Sequence, residues 1–186
     1  MKVAVFCGAS SGNDPRYVET TKALGKYFAE QGVDVVYGGG DVGLMGTIAD
    51  AVLAHGGKVY GVIPEYLKSK EIAHEHLTEL HVVADMHERK AKMADLADAF
   101  VALPGGAGTL EEIFEVWTWA QLGHHAKPCA FYNVMGFYDP LMSMVRQMSE
   151  AGFIRPQYVD MLINTDQADE LLTALKTYQP PKKKWG

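Results

Sequence analysis

The residues best suited to bind an anion form a glycine-rich segment, PGGAGTLEE, at positions 104–112. Small residues at 105–108 allow successive backbone N–H groups to face one ligand, and the start of the following helix adds partial positive charge. This pattern predicts a phosphate site made of the amides of residues 105–109. A purely structural alternative is open at this point. Thr109 and Glu112 have the spacing of a capping box, with Thr109 as the helix N-cap.

A second candidate site is the basic pair Arg89 and Lys90 in the sequence MHERK, positions 86–90. Two adjacent cations near a predicted helix start oppose the helix dipole, which favours acidic residues there. An anionic ligand would explain them. The alternative is a solvated helix face, with Asp85 pairing with Arg89 and Glu88 pairing with Lys92.

A third cluster, Gly38-x-Gly40-x-x-Gly43, matches the dinucleotide fingerprint by its spacing. It follows the second predicted strand instead of the first, and the expected acidic residue about 20 positions on is not clearly placed. We therefore expect these glycines to allow tight turns and close approach of the backbone to a ligand or helix. Gly40 and Gly43 are further candidate ligand contacts, and so is Ser10, because its turn lies at the same edge of the sheet.

Other chemistries are not indicated by the sequence. The pairs His74/His76 and His124/His125 do not form a metal-ligand set, so we predict no metal. The Walker pattern and the nucleophile elbow of serine hydrolases are absent from the sequence.

Short apolar runs alternate with helix-period segments along the sequence. The strands and helices that they predict must position these residues. We predict strands near 3–8, 33–40, 58–64, 80–85, 99–104, 129–134 and 159–163, and helices near 15–32, 43–55, 86–97, 109–122, 139–151 and 167–177. Such βαβ repeats predict one doubly wound, Rossmann-like α/β domain over residues 1–178, with a mostly parallel sheet flanked by helices. Residues 179–186 form a loose C-terminal tail in this prediction.

Composition limits the partners of the chain. Its 186 residues carry a net charge of −6, which argues against nucleic acid and anionic membrane surfaces as partners. Cys7 and Cys129 lie in apolar runs and are expected to be buried thiols. Because the sequence has no signal peptide and no apolar run of membrane-spanning length, we expect a cytoplasmic protein.

The two motifs together resemble the LONELY GUY (LOG) family of cytokinin riboside 5′-monophosphate phosphoribohydrolases, which are often mislabelled as lysine decarboxylases. The similar segments include VVYGGGDVGLMG, VADMHERKAKM and ALPGGAGTLEEIFEVWTWAQLG. The resemblance implies a homodimer without a cofactor that hydrolyses the N-glycosidic bond of an adenosine-type 5′-monophosphate. By motif position it implies that Arg89 and Glu112 are catalytic. The implied substrate-binding residues are Glu71, Arg89, Lys90, Gly105, Gly106, Ala107, Gly108, Thr109, Leu110, Glu111, Glu112 and Thr118.

In this interpretation Glu112 stabilises an oxocarbenium-like transition state and orients water, while Arg89 recognises the phosphate or the departing base. Two alternatives belong to other classes of protein. A non-catalytic nucleotide or molybdenum-cofactor carrier would need the glycine segment but not the carboxylate of Glu112. A lysine decarboxylase that uses pyridoxal phosphate would need a Schiff-base lysine in a suitable site.

Overall fold

The computed structural model describes residues 1–70 and 72–182. The strands are β1 (Lys2–Phe6), β2 (Asp34–Tyr37), β3 (Val59–Pro64), β4 (Glu79–Val83), β5 (Ala99–Ala102), β6 (Cys129–Tyr132) and β7 (Leu162–Thr165). The α-helices are α1 (Pro15–Glu30), α2 (Gly43–Ala54), α3 (Met86–Leu96), α4 (Ala107–Leu122), α5 (Asp139–Glu150), α6 (Pro156–Asp160) and α7 (Ala168–Thr177). Strands and helices alternate along most of the chain, except that β3 is followed by β4 without an α-helix among the described residues between them and α5 is followed by α6.

The seven strands form one parallel sheet in the order β4-β3-β2-β1-β5-β6-β7. The chain moves outward from β1 to β4 and then returns to the other side of β1 as β5. Val3 is accordingly paired with Val35 of β2 and with Ala99 of β5. The turns that follow β1 and β5 therefore meet at the point where strand order reverses, which is where ligands bind in open α/β sheets.

Both faces of the sheet are covered, which explains why its strands read as continuous apolar runs. One hydrophobic cluster joins α1, α2 and α7 to the sheet through residues such as Phe28, Ile48 and Leu171. The other cluster joins α3, α4, α5 and α6 to the opposite face through residues such as Met93 and Trp117. The α/β, doubly wound fold predicted from the sequence is confirmed.

Two local predictions were wrong. Residues 156–160 form the short helix α6, and the last strand begins at Leu162 instead of residue 159. A five-residue helix that begins with proline is too short to show helical periodicity. Helix α4 begins within the glycine-rich segment, at Ala107, with Gly106 as its N-cap. Thr109 therefore lies inside the first turn, and the capping-box alternative is wrong.

The C-terminal tail is described as far as residue 182 and has neither helix nor strand over residues 179–182. The carbonyl of Lys182 accepts hydrogen bonds from Gln157 Nε2 at 3.0 Å and from the Tyr158 hydroxyl at 3.3 Å. The division into a domain of residues 1–178 and a loose tail stays a prediction, and residues 183–186 lie outside the described part. Among the described residues, no helix combines the length and apolar character needed to cross a bilayer.

Candidate active site

A cavity of about 310 Å³ lies at the carboxyl ends of β1 and β2, between α3 and α4. Its lining combines the two predicted motifs with apolar side chains from neighbouring elements. It is lined by Val5, Phe6, Cys7, Gly8, Ala9, Gly38, Met45, Leu67, Met86, Arg89, Met93, Gly106, Gly108, Thr109, Glu111 and Glu112. The structure thus brings Arg89 and Glu112 to one cavity, although they are 23 positions apart in the sequence.

The turns after β1 and β5 pack tightly against each other at this cavity. The Gly8 N–H donates to the Pro104 carbonyl at 3.1 Å, and the Leu44 N–H donates to the Gly8 carbonyl at 3.0 Å. A Cβ atom on Gly105 would lie 2.9 Å from the Gly8 nitrogen and 2.8 Å from Thr109 Cβ. Glycine at position 105 therefore allows the close approach that brings the two turns together.

The N-terminus of α4 is open to a ligand. Its N-cap, Gly106, has no side chain, and Gly108 and Thr109 of the first turn line the cavity. The neighbouring helix α3 is capped differently: the Asp85 carboxylate accepts the Glu88 N–H at 2.9 Å, and the Glu88 carboxylate accepts the Ala84 N–H at 2.9 Å. The first-turn amides and the dipole of α4 can therefore act on an anion.

Arg89 is buried, with 4% of its surface exposed, and its guanidinium is held by backbone carbonyls. Nε donates to the Val62 carbonyl at 3.0 Å and Nη2 donates to the Gly38 carbonyl at 2.6 Å. Nη1 lies 3.7 Å from the sulfur of Met86. The alternative of a solvated helix face is therefore wrong for this residue. The carbonyls fix the guanidinium at the cavity wall, with its planar fork oriented before any ligand arrives.

Glu112 lies one turn after Thr109 on α4 and is partly buried in the cavity wall. Burial raises the pKa of the Cys7 thiol far above its ordinary value, and the negative charge of Glu112 raises that pKa further. Glu112 is therefore close to the end of β1. The cavity brings together a carboxylate, a fixed guanidinium and an uncapped helix N-terminus.

The comparisons with known proteins agree on one family. A family model described as "Possible lysine decarboxylase" matches residues 45–175. The chain is 49% identical over 180 residues to the cytokinin riboside 5′-monophosphate phosphoribohydrolase LOG7 of Arabidopsis thaliana, covering 96% of this chain and 82% of that protein. It is 47% identical over 179 residues to the cytokinin riboside 5′-monophosphate phosphoribohydrolase LOG of Oryza sativa subsp. japonica, covering 96% of this chain and 74% of that protein. The chain belongs to the LOG family of phosphoribohydrolases.

Solved structures show how widely the fold of this LOG-family chain occurs. The Moco carrier protein from Chlamydomonas reinhardtii matches with a TM-score of 0.71 at 18% identity, covering 95% of this chain and 96% of that chain. The molybdenum cofactor binding protein from Rippkaea orientalis matches with a TM-score of 0.70 at 18% identity, covering 95% of each chain. At such low identity these similarities show a shared fold alone.

Lys90 of this LOG-family chain does not itself line the cavity but pairs with Glu111, which does. Its ammonium group lies 2.5 Å from Glu111 Oε1 and 2.8 Å from Glu115 Oε2, both on α4. Burial opposes its charge, but the hydrogen bonds to the two carboxylates outweigh burial and raise the pKa of Lys90. Lys90 therefore joins α3 to α4, and only 9% of its side chain is exposed. The solvated-face alternative is wrong for this residue too, whereas its predicted contact with substrate stays a prediction.

The other residues predicted from the sequence are dispersed around this cavity. Ser10 lines a second cavity of about 340 Å³, which shares Gly8, Ala9 and Gly106 with the first. Gly40 forms an antiparallel bridge with Ala73. A last group lies outside the lining of the first cavity: Ala107 at the first position of α4, Leu110 on its apolar side, the exposed Thr118 further along α4, and Gly43 beneath the turn after β1. Glu71 lies outside the described residues, and its predicted contact remains untested.

Sequence reasoning missed the apolar part of the cavity. Three methionines line it: Met45 of α2, and Met86 and Met93 of α3. Met86 and Met93 stand three residues before and four residues after Arg89, which is the helical spacing for a shared face. That spacing could have identified them, whereas Met45 reaches the cavity only through the packing of α2.

A group with metal-ligand character lies elsewhere, at Asp41, Asp50 and His74, whose ligand atoms all lie within 4.8 Å of one another. The His76 backbone N–H donates to His74 Nδ1 at 3.1 Å, so a neutral His74 ring carries its proton on Nε2. Nε2 in turn lies 3.0 Å from Asp50 Oδ1 and donates to it. Because no lone pair of this ring faces the carboxylates, the geometry fits a structural hydrogen bond better than a metal ligand.

Proposed function

We propose that this chain hydrolyses the N-glycosidic bond of adenosine-type 5′-monophosphates, either AMP or cytokinin riboside 5′-monophosphates. The products are the free base and ribose 5-phosphate. The observation that carries this proposal is the convergence of Glu112, Arg89 and the uncapped N-terminus of α4 on one cavity. The names of the related phosphoribohydrolases support the same reaction class and substrate class.

The amides at the start of α4 bind the 5′-phosphate in this mechanism. The N–H groups of Gly108 and Thr109 are oriented along the helix axis, and the dipole concentrates partial positive charge there. An acidic protein can hold an anion in this way because the interaction is local. Binding energy from the phosphate then orients the sugar for reaction.

Glu112 acts on the sugar. Departure of the base leaves positive charge on C1′ and the ring oxygen, and a nearby carboxylate stabilises that charge while it orients the attacking water. Arg89 stays protonated and cannot be the base. Its fork, held by the carbonyls of Gly38 and Val62, binds the substrate as a fixed cation.

Two features distinguish this function from its alternatives. A carrier needs the phosphate site but has no use for a carboxylate beside the sugar, which is the position we assign to Glu112. For a decarboxylase that uses pyridoxal phosphate, the described residues that line the cavity include no lysine. The nearby Lys90 pairs with Glu111 and Glu115, which raise its pKa and keep it a cation instead of a nucleophile.

The test is a product assay across AMP, isopentenyladenosine 5′-monophosphate, other nucleoside 5′-monophosphates and the unphosphorylated ribosides. We expect release of base and ribose 5-phosphate from the adenosine-type monophosphates and poor reaction of the ribosides. Stoichiometric binding of AMP without cleavage would instead identify a carrier. Decarboxylation of lysine with pyridoxal phosphate would contradict the proposal entirely.

A homodimer is part of the proposal. Helix α4 supports it, because Phe114 and Trp119 are only partly buried and 42% of the Leu122 surface is exposed. Light scattering during size-exclusion chromatography should give twice the mass of the chain. The cytoplasmic location remains a prediction that imaging of a tagged chain would test.

A further inference from the structure

The first glycine of the sequence GGGD lies directly against the guanidinium of Arg89. Gly38 follows β2, and its carbonyl accepts the hydrogen bond from Arg89 Nη2 at 2.6 Å across 51 positions of sequence. A Cβ atom built on Gly38 would overlap Nη2 and lie 3.1 Å from Arg89 Cζ. The volume that a methyl group would occupy at position 38 is thus already filled by the end of Arg89.

The requirement for glycine differs among the neighbouring positions. Gly39 and Gly43 have φ angles of +78° and +55°, in the left-handed region where glycine is favoured by the backbone itself. The φ of Gly38 lies outside that region, so the backbone there accepts alanine without strain. The other near atom is the sulfur of Met45 at 3.1 Å, at the flexible end of its side chain. Arg89 is therefore the group that a side chain at position 38 would displace.

We propose that Gly38 is a positioning residue for Arg89: its missing side chain lets the guanidinium reach the carbonyls of residues 38 and 62. The inference rests on the proposed function, since it concerns the reaction in which Arg89 takes part. Gly38 acts through Arg89, and a shift of that side chain by about 1 Å is enough to cost about a hundredfold in rate.

The test is a double-mutant cycle of Gly38→Ala and Arg89→Ala, read by kcat for AMP and by Tm. In the wild-type background, Gly38→Ala should lower kcat by about tenfold to a hundredfold and should lower Tm, because the guanidinium leaves its carbonyl partners. In the Arg89→Ala background, the new methyl group fits the vacated space. The same change should then have almost no effect on kcat or Tm.

Gly25→Ala is the matched control. A Cβ atom there would lie 2.7 Å from Ala51 Cβ, where α1 packs on α2 away from the site. This variant should lower Tm equally in both backgrounds and leave kcat unchanged. Wild-type kcat and Tm in Gly38→Ala would overturn the inference, and so would an equal Tm loss in both backgrounds. If the wild-type protein released no base, the proposed function would fail, whereas the Tm cycle would still test the positioning of Arg89.

Discussion

Replacing Glu112 by glutamine should slow base release by about 30-fold to 1,000-fold. The substitution keeps the size of a side chain that lines the cavity and removes its charge. A unit charge about 4 Å from a carboxylate is stabilised by about 4 kcal/mol at an effective dielectric constant of about 20. Because an oxocarbenium-like transition state develops between about half and all of that charge, the loss is about 2 to 4 kcal/mol, and each 1.36 kcal/mol corresponds to tenfold in rate.

The effect should appear in kcat more than in KM, because the positive charge exists in the transition state and not in the bound nucleotide. Adenine is quantified chromatographically at saturating AMP, with ribose 5-phosphate as the second product. The Tm of the variant is measured beside kcat, so that a loss of turnover is compared only between folded proteins.

Glu115→Gln is the matched control on the same helix. Its carboxylate lies 2.8 Å from Lys90 Nζ and does not line the cavity. Its loss should lower Tm, because the buried ammonium of Lys90 then keeps Glu111 but loses one of its two carboxylate partners, and should leave turnover close to that of the wild type. The reasoning about Glu112 is refuted if folded Glu112→Gln releases adenine within about fivefold of the wild-type rate, since that difference is only about 1 kcal/mol.

Three further predictions concern Arg89, Gly105 and the two buried thiols. Arg89→Lys should lose most turnover, because a single ammonium cannot reproduce the fork held by Val62 and Gly38; a kcat near that of the wild type would contradict this. Gly105→Ala should separate the turns after β1 and β5 and weaken AMP binding in calorimetry by about tenfold or more, and unchanged affinity would count against the packed-turn argument. Burial raises the pKa of both Cys7 and Cys129, so above pH 9 the unfolded thiols lose protons before the folded ones. Urea unfolding should therefore show a free energy of unfolding that falls as pH rises above about 9, with a shallower slope in Cys129→Ala; a flat profile from pH 9 to 10 would refute it.

Much of the fold could be predicted from the sequence because parallel strands buried on both faces are continuous apolar runs. Residues 99–102 show this, since all four are buried and no polar position interrupts them. Helix α6 could not be predicted in the same way. Its five residues are held between α5 and β7, and such tertiary packing leaves no periodic signal in so short a segment.

The position of a site residue could be predicted from the sequence where it belongs to a local motif. It could not be predicted where tertiary packing determines which side chains reach the cavity. Glu112 lies one helical turn after Thr109 within the glycine-rich segment, so its place near the N-terminus of α4 can be expected from the sequence. Lys90 directly follows Arg89 in the sequence, yet the two side chains have different partners. Arg89 bonds to the carbonyls of Val62 in β3 and of Gly38, which follows β2, whereas Lys90 contacts α4. The packing of α3 between these elements brings Arg89 to the cavity lining and Lys90 to the carboxylates of Glu111 and Glu115.

The capping of two adjacent helices resolves how an acidic chain can hold a nucleotide anion. At the start of α3, Asp85 and Glu88 satisfy backbone N–H groups with carboxylates, which neutralises the positive end of that helix. At the start of α4, Gly106 supplies no carboxylate, and the first turn contains no acidic residue. The backbone N–H groups at the start of α4 therefore stay available to a ligand, beside a guanidinium that the carbonyls of Val62 and Gly38 hold in place. Charges on the surface further away than about 8 Å are screened at physiological ionic strength, so the net charge of −6 does not by itself prevent an anion from binding at this helix end.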